Sequence, residues 1–346
     1  MLATLHVALP FTLLMPEESE YRLYIYDDGE YEVTVDLPVK SDRPPSPDTP
    51  ERLRIHGKPG FLADALTVKF RKPTFNRASQ SDIDPPYEVL NRAIGSFLAR
   101  LKYIARAPQV HTIELPKCPW RIQYLNDDGT PLSPEEGFVR GRGSVSFSFS
   151  FIACDPALWD HIHSLPPDFQ PPPWHSLLVD SRGALPHVGT AVVLAATALE
   201  VLIADVLKQL FSKSTIPPSL WAWINDRGDW QKEPSVEEQY SVLLEVLCGH
   251  SLKEDNGLWE AFKNLRKARN SFVHEGVPKI AKSGVTAEEA LALIAKADQI
   301  AEKVRQWLPE ELRWPAFFHE VPVEFGKLLI RAPIDAPVTE PQTGSA

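Results

Sequence analysis

The run HSLPPDFQPPPWHSL, residues 163–177, constrains this chain more than any other feature, because five of its fifteen residues are proline. Proline lacks an amide proton and fixes its own φ, so the run cannot continue a helix or lie inside a sheet and favours extended polyproline geometry. It also separates two different hydrophobic periods. The 346 residues therefore read as two units, each long enough to bury a core: residues 1–165, a proline-rich linker over 166–177, and residues 178–332.

The first unit has the grammar of strands and turns. YRLYIYDDGEYEVTVDLPV alternates around an Asp-Gly turn, and ERLRIHG, ALTVKFRK, TIELP and WRIQYLNDDGTPL follow in the same style. In GSVSFSFSF, Val145, Phe147, Phe149 and Phe151 share one face and the serines the other. One helix interrupts them, PYEVLNRAIGSFLARLKYIA, with Val89, Ala93, Phe97, Leu101 and Ile104 on a common stripe. The unit is expected to be α+β and rich in strand, and the proline-rich segment 41–52 an exposed loop. LATLHVALPFTLLM at the start lacks a basic flank and a cleavage site and is broken by Pro10, so it reads as a strand, not a leader.

After residue 184 the period becomes 3.6. His187 to Phe211 is nearly all apolar, SVEEQYSVLLEVLCG covers 235–249, and a third helix runs from Asn256 to about Val273 before Gly276 and Pro278. The last begins at Thr286, with Glu289 at capping-box spacing. Four helices with short connections predict an antiparallel bundle. The tail over 333–346 is expected to be disordered.

A formal charge of -10 argues against a broad duplex-DNA footprint. Cys118, Cys154 and Cys248 form no CxxC pair, which fits a reducing compartment, and no run reaches the roughly 18 apolar residues of a spanning helix. A cytoplasmic protein with no membrane partner is expected. His161 and His163, with Cys154 and Asp155 upstream, are too few for a zinc set and read as a surface turn, so neither metal nor cofactor is expected. Lys69 to Lys72 and Arg140 to Arg142 read as solvated strand ends, and Trp221, Trp223 and Trp230 as helix packing.

One residue on the third helix sits badly. At 100° per residue, with Leu258 at 0°, Phe262, Leu265, Phe272 and Val273 fall between about 320° and 60°, and Arg269 lands in the middle of that arc at about 20°. A guanidinium keeps its proton, so burying it demands a partner. Glu200, equally misplaced on the apolar first helix, is the obvious structural candidate; a phosphate is the functional one. Asn270, His274, Lys263 and Lys267 form a polar strip on another face, with Arg266 at its edge.

Arg269-Asn270-Ser271-Phe272-Val273-His274 resembles the Arg-Asn-xxx-His form of the HEPN superfamily motif, on the third long helix of a helical bundle. TALEVLIADVL is similar to the opening helix of Apea-like HEPN domains, so the resemblance spans about residues 184–310. It implies a metal-independent endoribonuclease that leaves 2',3'-cyclic phosphates. Arg269 and His274 would be catalytic, Asn270 would orient them, and Lys263, Arg266 and Lys267 would meet RNA. It further implies a homodimer or higher homo-oligomer, and by analogy an antiphage or toxin-like effector whose first unit senses a phage-derived or nucleotide trigger. Gly276 stands where many family toxins carry tyrosine, and some members bind without cutting. The alternative is a non-catalytic dimerisation or nucleotide-binding bundle. Arg269 and His274 are about 140° apart on an ideal helix, so a shared cleft needs either a second subunit or a loosened last turn.

Overall fold

The computed structural model describes residues 2–17, 19–27, 29, 31–40, 53–71, 86–126, 128–132, 136–138, 151–225, 234–317, 321 and 323–325. Within them the chain is α+β, a mostly antiparallel sheet with a long helix against it followed by a helical half. The phenylalanines at 147 and 149, the segment 41–52, Arg140 to Arg142, Trp230 and the tail lie outside the described residues.

Strand β1 (Leu2–Pro16) organises the sheet. Ala3, Leu5 and Val7 are fully buried while Thr4 and His6 between them are half-buried, the period of two that a one-sided sheet requires. β2 (Tyr24–Asp27) pairs with β3 (Glu32–Lys40), which pairs with β5 (Lys58–Arg71), and β4 (Leu53–Ile55) turns tightly into β5. β5 and β6 (Trp120–Leu125) flank β1 antiparallel, β7 (Glu136–Phe138) follows β6, and β8 (Phe151–Ala153) runs parallel to β1. The register of β1 slips between Ala8, opposite Ala65, and Leu13, opposite Ala63. Pro10 falls in that irregular stretch, where its missing donor breaks no regular ladder.

Helix α1 (Tyr87–Ala105) lays Leu90, Ala93, Ile94, Phe97 and Leu101, all fully buried, against Leu5, Val33, Val68 and Phe70 of the sheet. Arg100 lies in the same stripe and is 2% exposed. Its guanidinium donates to the carbonyls of Ile162 and Leu165 at 3.3 and 3.0 Å and to those of Pro166 and Pro167. Every one of these acceptors belongs to the proline-rich connection or its approach.

The expected linker is therefore corrected. Residues 154 and 155 are buried, and Asp155 caps α2 (Pro156–Ser164) by accepting from the Leu158 amide at 2.8 Å, so His161 and His163 sit on a helix and not on a surface turn. Pro173 opens α3 (Pro173–Gly183), at the one helical position where an absent N–H is harmless. Trp174, Leu178 and Val179 of α3 are buried, so the connection outside helices is only 165–172, which turns where the Phe169 amide donates to the Pro166 carbonyl at 3.0 Å and which Arg100 pins. Among the described residues, no group of three or more His, Cys, Asp or Glu is placed to hold a metal.

The second core surrounds α4 (Val188–Lys213), whose Ala195, Leu199, Leu202, Ile203 and Val206 are buried. By length and composition α4 is apolar enough to cross a membrane, and here its apolar surface packs under the other helices. α5 (Pro218–Asn225) stacks Trp221 on Phe211 at 4.5 Å, whereas Trp223 is exposed. The helix expected over 235–249 is α6 (Val236–Glu238), a π-helical turn over Gln239–Leu243, and α7 (Leu244–Cys248). The turn buries Tyr240, whose hydroxyl donates to the Leu199 carbonyl at 2.7 Å. α8 (Asn256–Glu275) and α9 (Ala287–Trp307) complete the bundle, the latter with the expected Thr286–Glu289 capping box. A short hairpin of β9 (Lys279–Ile280) and β10 (Ser283–Gly284) joins them.

The second unit does not end the fold. The strand Val323–Phe325 pairs antiparallel with β4, and Phe317 and Val321 pack on the first core, so the chain returns to the sheet after α9. The two halves meet where the end of α1 touches α3 and α9. Lys102 donates to Asp180 at 2.6 Å, Arg106 and Arg182 both pair with Asp298, and the Tyr103 hydroxyl donates to the Pro315 carbonyl.

Candidate functional site

Helix α8 carries the motif, and its ends are well fixed. Asp255 accepts from the Leu258 amide at 3.0 Å, and Gly276 closes the C-terminus at φ 75°, its amide donating to the Phe272 carbonyl at 2.8 Å. Ser271 Oγ then donates to the Val277 carbonyl at 2.8 Å, fastening the chain beyond the cap. The last turn is not loosened.

The buried face of α8 is Leu258, Phe262, Leu265 and Ala268, with Phe272 half-buried and Val273 54% exposed. The core arc is thus turned towards Ala268, which is small enough to let the helices approach, and Arg269 occupies its edge and not its centre. Arg269 is half-buried, its Nη1 donates to Asn270 Oδ1 at 3.0 Å, and its buried Nε has no partner. Among the described residues no ion pair joins it to Glu200, which corrects the structural reading of Glu200.

The reason is axial register. Phe272 packs against Gly189, so closely that a Cβ there would meet Phe272 Cε2 at 2.0 Å, while Tyr240 links Leu199 to Phe262 ten residues back. Helices α4 and α8 are therefore antiparallel. Arg269 is level with about residue 192, and Glu200 lies roughly 12 Å further along the axis at 1.5 Å per residue. Glu200 stands near Tyr240, whose phenol is pushed well up, first by burial and then by that carboxylate.

His274 is exposed in the last turn, one turn beyond Asn270, and has no hydrogen bond or ion pair among the described residues. Asn270 thus stands between Arg269, which donates to it, and His274, its neighbour at i+4. The adjacent Glu275 carboxylate is held below its usual range, chiefly by a hydrogen bond from Lys279 and that ammonium's charge. Of the three cations expected to meet RNA, Lys263 pairs with Glu260 and Arg266 with Glu237, both at 2.6 Å. Only Lys267 of the three is exposed without an ion pair among the described residues.

Sequence reasoning missed Gly189. That glycine admits Phe272 and brings the start of α4 against the last turns of α8, where the His187 side chain makes no cap and the Val188 amide donates to the Pro186 carbonyl at 2.8 Å. The only signal was a glycine two residues after the cap of an otherwise unbroken apolar helix. Val273 and Val277, at 54% and 47% exposure, add an apolar margin beside His274. No family model, no curated protein and no solved structure matches this chain.

Proposed function

We propose that the protein is a HEPN-type endoribonuclease whose site is shared between two copies of the chain. The observation that carries the reading is the row Arg269, Asn270, His274, in which the arginine orients the amide, part of the guanidinium is left unpaired, and the imidazole is bare to solvent. An imidazole ionises near neutrality and suits proton transfer. His274 takes the proton from a ribose 2'-OH, the 2'-oxygen attacks the adjoining phosphorus, and the bond to the departing 5'-oxygen breaks as that oxygen is protonated. The products are a 2',3'-cyclic phosphate and a 5'-OH. Arg269 holds the non-bridging oxygens as their charge grows.

With the last turn closed, the two side chains stay about 140° apart, so one helix cannot aim both into one cleft. A second copy supplies the missing group, and the exposed valines beside His274 give such a contact an apolar margin. Purified protein is expected to cut single-stranded RNA in EDTA, with cyclic phosphate ends on the fragments. A parent protein that leaves RNA intact rejects the reading. The second reading, a non-catalytic bundle, draws on one observation: Lys263 and Arg266 are already neutralised by carboxylates, which thins the positive surface RNA needs.

A further inference from the structure

A cleft of about 270 Å³ opens between α1 and α3, where the sheet unit meets the bundle. Its polar lining is Lys102, Tyr103, His111, Thr112, His175 and Ser176, and among the described residues no carboxylate lines it. The volume lies just below the roughly 300–1,000 Å³ of drug-sized sites. A smaller hollow of about 30 Å³ on the other side of His175 has room for about one water.

His175 is the feature that needs explaining. It is 9% exposed, and neither ring nitrogen has a protein hydrogen-bond partner among the described residues. Its contacts are the rings of Tyr103 at 4.2 Å and Trp174 at 5.6 Å. Those nitrogens are not sealed off, since the ring lines both hollows, and whatever enters them meets the imidazole. Burial, then the charges of Arg106, Arg182 and Lys102, push its pKa down to about 3, so it is neutral and presents one donor and one acceptor nitrogen. Lys102, Arg106 and Arg182 share the two carboxylates of Asp180 and Asp298, which leaves one positive charge in excess beside the ring. Lys102 spends one donor on Asp180 and keeps others.

Gly95, which also lines the cleft, is the second oddity. It stands inside α1, where glycine weakens a helix, yet a Cβ there would meet nothing within 4 Å. Packing does not require the glycine, and the space beside it is open.

We propose that this cleft binds a small organic anion, a carboxylate or a phosphate monoester with a compact apolar body, held by His175 and Lys102 with the hydroxyls of Thr112 and Ser176. The proposal does not depend on the nuclease reading. It is tested on the full chain by thermal melting with benzoate and 5'-AMP beside their uncharged counterparts benzamide and adenosine. At least one anion is expected to raise Tm saturably by a few degrees at millimolar concentration while its counterpart does not, and the responding anion tells carboxylate from phosphate. Gly95→Leu fills the cleft, melts no lower than the parent and loses the shift; His175→Leu loses it too. No shift with either anion, an equal shift with the neutral molecules, or a shift that survives Gly95→Leu overturns the proposal.

Discussion

Two arginines in this chain lie on helical faces that should be apolar, and they solve the problem in opposite ways. Arg100 is enclosed and spends its donors on backbone carbonyls, two of them buried. Replacing it with methionine strands those acceptors, and Arg100→Met is expected to lower stability by about 3 kcal/mol in urea unfolding. Among the described residues Arg269 has one side-chain hydrogen bond and no ion pair. Arg269→Ala is therefore expected to change stability by no more than about 1 kcal/mol, although RNA cleavage should fall by at least about a hundredfold. A loss of several kcal/mol would return Arg269 to a structural role. His175 gives a pH signature of known sign. Its folded pKa is depressed to about 3 against about 6.5 unfolded, so the unfolded chain binds the extra proton and the contribution is lost as pH falls through that window. Between pH 7 and pH 5 the parent should lose about 2 kcal/mol more than His175→Leu does, read from urea unfolding at each pH.

Elements were legible in the sequence wherever a period and a cap agreed. The stripe of α1 and the Thr286 capping box lie where the pattern put them, and the opening run is the strand it reads as, because each depends only on near neighbours. What the sequence hid were relations between elements. Nothing local told that Arg100 would hold the proline run, so that run read as a free spacer. The axial offset of α8 on α4 decides whether Arg269 can reach Glu200, and it is set by Phe272 seating on Gly189. That contact is testable. Gly189→Ala gains helix propensity but drives a methyl into the ring, and a net loss of about 1–2 kcal/mol is expected, with part restored by adding Phe272→Leu. Equal stability of Gly189→Ala and parent would mean the two helices are free to shift.

At the scale of the molecule, the two cores are joined through α1, whose end is held by ion pairs to α3 and α9 and whose Arg100 grips the connection. The sheet unit and the bundle are thus joined by ion pairs and hydrogen bonds. The motif lies at the end of the bundle where α8 closes against the start of α4. Arg269 and His274 face different directions on one closed helix, so the proposed reading requires a second copy of the chain. The most direct measurement is cleavage of single-stranded RNA in EDTA by the parent, by Arg269→Ala, by His274→Ala and by an equimolar mixture of the two variants. The account predicts an active parent, two inactive variants and a mixture that regains part of the activity. An inactive parent, or a His274→Ala protein that cuts as well as the parent, contradicts it.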